Sequence, residues 1–116
     1  MPRDPAYSFF YKISRKLRKA IPCGHKVRVT LKEGYDEHGT CEFDVRRPEL
    51  GFAIVLAMSG AEEQDILILL HEYALVLSWF CEDEDHGIAW QSAYGRVYRW
   101  YEKEVEKTYN SNMTRQ

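Results

Sequence analysis

Hydrophobic and polar positions alternate along this chain in three rhythms, one after another. Phe10, Ile13, Leu17 and Ile21 recur at intervals of three and four, with Lys12, Arg15, Lys16, Arg18 and Lys19 between them. That spacing predicts an amphipathic helix with one apolar stripe and one basic face. Asp4 and Pro5 suit its start, the first as a cap and the second in the opening turn. Pro22 and Gly24 end it.

The rhythm then changes to a period of two. Residues 25–32 place Val27, Val29 and Leu31 on one side, and residues 40–45 place Cys41, Phe43 and Val45 on one side. Each reads as a half-buried strand, and residues 34–39 between them read as a turn or hairpin loop. Arg46 to Gly51 interrupts the pattern. Residues 52–58 are a short apolar, partly β-branched run, read as a third strand.

The third rhythm is almost unbroken apolarity. Ser59-Gly60-Ala61-Glu62 has the capping-box spacing, with Ser59 as cap and Glu62 three residues later. A helix is expected from there to about residue 79. Its interior is apolar nearly all round, which marks a central, buried helix. An acidic loop follows, then a last helix from about residue 85 or 87, with Trp90, Ala93, Tyr94, Val97, Tyr98 and Tyr101 on one face. The order predicts an α+β domain: a small antiparallel or mixed sheet packed on a buried active-site helix, with an N-terminal and a C-terminal helix. Residues 1–109 form one domain, and the polar residues 110–116 are expected to be a flexible tail.

Composition adds little to the class and something to the surface. Hydrophobic residues are 45% and charged residues 29%, ordinary for a globular domain, and the formal net charge is -2. The charge is uneven: residues 6–32 carry eight Lys or Arg and no acid. Such asymmetry can mark a nucleic-acid or acidic-partner surface. The plainer reading is a solvated helix face, with binding that does not survive physiological salt, because this stretch is the only dense basic patch along the chain. Three scattered cysteines without a C-x-x-C pair point to a reducing, cytoplasmic setting. The opening residues lead into a basic amphipathic segment rather than an apolar one, so no secretory leader is expected, and the longest apolar run, Ile66 to Leu70, is too short to span a bilayer, so no membrane partner is expected.

Beyond its first turn the apolar helix has two strongly polar side chains, His71 and Glu72. Burying them costs free energy unless something satisfies them. His71-Glu72-Tyr73-Ala74-Leu75 is one substitution short of H-E-x-x-H, in which two histidines one helical turn apart share a zinc ion. Leu75 stands where the second histidine belongs. His86, at the expected start of the last helix, sits where the helix dipole favours a neutral imidazole, the form that binds metal. His25 and His38, in strand and turn contexts, read as surface residues.

Leu69-Leu70-His71-Glu72-Tyr73-Ala74, followed by Asp85-His86-Gly87-Ile88-Ala89-Trp90, resembles the SprT-like group of small zincin metallopeptidases. It also resembles short phage and bacterial proteins of predicted metallopeptidase type. Their pattern is H-E-x-x-H, a loop, then H-G-x-x-[FW]. The motif match runs from His71 to about Arg99, and the upstream elements agree only in order. The resemblance implies that His71 and His86 are zinc ligands, that Glu72 is the general base and that Trp90 packs behind the site. It further implies a peptide or protein substrate aligned along an edge strand, formed by residues 52–58 or a neighbour. With Leu75 at the second ligand position, zinc binding is expected to be weak or absent and hydrolysis impaired, unless Cys81, Glu82, Asp83 or Asp85 substitutes. The alternative is a non-catalytic module that binds a protein or nucleic-acid partner. The imidazoles of His71 and His86 are expected within about 3–6 Å of each other, as ligands of one ion require. Leu75 is expected to be largely buried.

Overall fold

A computed structural model describes residues 5–81 and 87–114. The chain is an α+β domain. Helix α1 (Ser8–Ala20) follows a single 3-10 turn at Pro5–Tyr7. Strands β1 (Val27–Lys32), β2 (Gly39–Phe43) and β3 (Phe52–Ala57) form one sheet, and helices α2 (Glu62–Ser78) and α3 (Ile88–Thr114) complete the fold. Among the described residues, no helix is long and apolar enough to cross a membrane.

The stripe read in α1 is the face that is buried. Phe10, Ile13, Leu17 and Ile21 are at most 5% exposed and pack with the core of β3 and α2. The start of the helix differs from the expected one. Asp4 lies outside the described residues, and no side chain caps the helix at Tyr7. Instead the backbone N–H of Phe10 donates to the carboxylate of Glu62 at 2.8 Å. An orphan donor in the first turn of α1 is thus satisfied by the first residue of α2, which ties the two helices together.

The sheet is mixed, and its order is β1-β3-β2. β3 pairs parallel with β1 and antiparallel with β2. Two expectations change here. β1 and β2 are not a hairpin, because β3 lies between them. Residues 52–58 do not supply an edge strand, because β3 is central; the edges are β1 and β2. The alternation in β3 explains its position. Phe52, Ile54 and Leu56 are fully buried against α2, while Ala53, Val55 and Ala57 are half-buried on the other face. β2 ends at Phe43, and Val45 is an exposed apolar residue rather than a strand position.

Helix α2 is central. It packs on α1, α3, β2 and β3, which accounts for its apolar character on nearly every side. The capping box at its start is not formed. Ala61 occupies the cap position, and Ser59 serves Asp65 instead. The Ser59 hydroxyl donates to Asp65 at 2.6 Å and the Ser59 N–H at 3.0 Å, while the Tyr7 hydroxyl donates to the same carboxylate at 2.5 Å. Gly60 N–H in turn donates to the Tyr7 oxygen at 2.9 Å. Asp65 is wholly buried, so these donors are what makes its burial tolerable. The network joins the 3-10 turn, the β3–α2 connection and the first turn of α2. At the other end of α2 the Tyr73 hydroxyl donates to the Ile21 carbonyl at 2.5 Å. Burial is the largest cause of the raised pKa of both tyrosines.

Candidate functional site

The site begins where α2 passes closest to the edge strand β2. A Cβ on Gly39 would lie 2.8 Å from Leu56 Cδ2, 3.0 Å from Ile68 Cγ2 and 3.3 Å from Glu72 Cγ. The missing side chain is what lets the first residue of β2 sit against the helix beside Glu72. A cleft of about 530 Å³ opens at this point, lined by His38, Gly39, Gln64, Leu67, Ile68, His71, Glu72 and Tyr94. Its size suits a small ligand or a few peptide side chains.

The two polar residues singled out in α2 both face this cleft. Glu72 is 7% exposed and His71 is half-buried. Trp90 of α3 stands against His71: the rings meet edge to face at 4.9 Å between centroids, and the indole N–H donates to the His71 carbonyl oxygen at 3.2 Å. Tyr94, one turn further on, stacks on Trp90 at 5.1 Å and lies 6.3 Å from the His71 ring. These aromatic contacts hold the imidazole between α2 and α3 and make one wall of the cleft. Among the described residues, no buried side-chain nitrogen or oxygen lacks a hydrogen-bond partner.

Cys41, two residues along β2 from Gly39, has its thiol pushed up to about 12 by burial first and by the charge of Glu72 second. It is therefore a neutral thiol at physiological pH. The thiolate is the nucleophilic form, so burial beside Glu72 disfavours the reactive form of Cys41.

His86, Glu82, Asp83 and Asp85 lie outside the described residues, and with them the expected approach of His86 to His71. Cys81 is exposed. Among the described residues, no three His, Cys, Asp or Glu side chains are grouped to hold a metal ion. Leu75 is half-buried rather than largely buried. A Leu75→Ala substitution is accordingly expected to cost about 1–2 kcal/mol, below the usual cost for a fully buried leucine. Urea denaturation measures this. A cost above about 3 kcal/mol would mean a leucine fully enclosed in the core.

His38 is the residue that the sequence reading missed. It is exposed, as expected, but its place just before β2 brings it to the same cleft as His71 and Glu72. Nothing in the local pattern signals this, because the approach depends on α2 crossing β2 at Gly39. His25 is also exposed and lies elsewhere, in an aromatic group with Phe43, Phe52 and Phe80 at 5.5–5.9 Å. No family model, curated protein or solved structure matches this chain.

Proposed function

We propose that the chain is a zincin-like domain of SprT-like type with an incomplete metal site, and that its cleft takes an extended peptide along β2. The observation that carries this reading is the placement of His71 and Glu72 in a cleft directly beside a sheet edge. The described residues do not by themselves fit a zinc ion with three protein ligands: Leu75 has no lone pair to offer, and no group of three donors stands with His71. No hydrolytic step is derived from them. The binding half of the reading rests on backbone geometry.

That geometry follows from the register. Ala57 N–H donates to the His38 carbonyl at 3.0 Å. In an antiparallel ladder the inward-bonded residues alternate, so His38, Thr40 and Glu42 bond toward β3. Gly39, Cys41 and Phe43 then direct their N–H and C=O groups to the open edge. They are paired with Leu56, Ile54 and Phe52 and share the face that packs on α2. A peptide strand added at this edge would bond to Gly39 and Cys41, and the side chains opposite them would enter the cleft beside His71.

The test uses an unfolded polypeptide, oxidised insulin B chain, titrated into isotope-labelled protein. The amide resonances of Gly39, Cys41 and Phe43 are expected to shift, and their hydrogen exchange to slow. No shift at about 1 mM peptide, the weakest binding worth assigning to a recognition surface, would overturn the reading. So would shifts confined to α3.

A further inference from the structure

Strand β3 is apolar on both of its faces, and the core occupies only one of them. Phe52 to Ala57 include no polar side chain. Phe52, Ile54 and Leu56 point into the core made with the helices, while Ala53, Val55 and Ala57 point the other way and are half-buried. A strand that is apolar throughout is the pattern of one buried on both sides. Here the flanking positions of the outer face are exposed: Arg28, Thr30 and Lys32 of β1, and Glu42 of β2.

The register sets what this outer face presents. Ala53 is paired with Arg28 on one side and with Glu42 on the other, so a cation and an anion flank it. Val55 lies between Thr30 and Thr40, and Ala57 is paired with Lys32. Alanine and valine are short, so the floor along β3 is low and the longer side chains stand at its two sides. Among the described residues, neither Arg28 nor Glu42 takes part in an ion pair. At the far end, the Tyr35 hydroxyl bonds with Thr40 Oγ1 at 2.8 Å, and Lys32 Nζ lies 5.6 Å from the Tyr35 ring centre.

We propose that this face is the interface of a two-fold dimer, with the outer faces of two copies packed against each other. Two orientations bring one sheet squarely onto the other. With the two-fold axis along β3, β1 of each copy lies over β2 of the other. Arg28 then meets the partner's Glu42, and Glu42 meets the partner's Arg28. With the axis across the strands, Arg28 would face the partner's Lys32, and like charges would repel. The charges therefore select the first orientation, in which Val55 packs on the partner's Val55 at the axis. Packed sheets lie about 10 Å apart, a gap that an arginine and a glutamate span together. The face measures roughly 20 by 14 Å at ordinary strand rise and spacing. That is at the small end of specific interfaces, so the dimer is weak and reversible. This surface is on the side of the sheet opposite the His71 cleft, leaves the open edge of β2 free, and does not depend on the peptide reading.

The test is sedimentation equilibrium of the intact chain from about 20 μM to 1 mM, with a dissociation constant expected at about 50–500 μM. Arg28→Glu and Glu42→Arg are each expected to weaken the dimer by about tenfold, because each sets like charges opposite one another. Combined in one chain they restore the pair in reverse, and affinity is expected to return to within about threefold of the parent. The two single changes move net charge in opposite directions, so a general charge effect would not weaken both. Val55→Arg, which sets two cations together on the axis, is expected to leave a monomer. Thermal melts confirm that the variants remain folded. A parent chain that stays monomeric at about 1 mM overturns the inference and leaves the face to a different partner or to solvent. A dimer that survives Val55→Arg overturns it as well, and so does one that both single changes weaken without recovery in the double variant.

Discussion

Zinc is expected to bind near-stoichiometrically once Leu75 is replaced by histidine, and weakly or not at all with leucine in place. Residues 71 and 75 stand on one face of α2, one turn apart. An imidazole at 75 would share an ion with His71 without any change of backbone. The gain expected from one further nitrogen ligand is at least about two orders of magnitude in affinity. Half-burial of Leu75 leaves room for this exchange at modest cost to packing. Competition against a chromophoric chelator measures it, and Leu75→Gln provides a control of similar size without the imidazole. Adding His71→Ala to Leu75→His should abolish the gain. Equal zinc content in the parent and in Leu75→His would mean that another residue already completes the site, and would remove Leu75 as the reason for its weakness.

Gly51→Ala is expected to be the most damaging small substitution in the chain. Gly51 has φ 70° and ψ -148°, a region that is essentially closed to residues with a side chain. A Cβ there would lie 2.1 Å from the Lys26 carbonyl oxygen. That same oxygen accepts the Phe52 N–H at 2.8 Å, the contact at which β3 enters the sheet beside β1. Backbone strain and clash act together, and the obstacle is backbone rather than a movable side chain. The expected loss is about 3–5 kcal/mol, a large part of a small domain's stability. Gly34→Ala is the informative comparison: it also has φ 70°, but nothing lies within 4 Å of its Cβ position. It should cost only about 1 kcal/mol, the strain of the left-handed conformation alone. Chemical denaturation of the two variants separates the terms, and equal losses would show that the contact with Lys26 is not what makes Gly51 necessary.

What the sequence discloses and what it hides divide along a physical line. Features decided by local periodicity are legible. The stripe of α1, the alternation in β1 and the all-round apolarity of α2 each follow from where the buried face must lie. Features decided by long-range partners are not. Ser59 and Glu62 have the spacing of a capping box, yet Asp65 captures the serine and the N–H of Phe10 captures the glutamate. Both outcomes depend on α1 and α2 coming together. The same holds for the site. His71 and Glu72 stand out because they are polar in an apolar helix. His38 does not, because an exposed histidine in a turn carries no sign of the helix that will cross beside it.

The insertion of β3 between β1 and β2 has a consequence for how the chain reaches this state. The two earlier strands are joined by a short turn, and a local hairpin closes in about 1–10 μs. In this protein a hairpin of β1 with β2 would be a non-native pairing, since β3 lies between them. Such a pairing would occupy edges that β3 takes in the sheet, and would have to open before β3 could pair with β1. On a ribosome the difficulty is sharper, since β1 and β2 emerge together and β3 follows. Refolding is therefore expected to show a slow phase that shortens when Gly34 is replaced by a residue that disfavours the turn. The sheet's order makes the non-local pairing of β1 with β3 the step that closes the sheet.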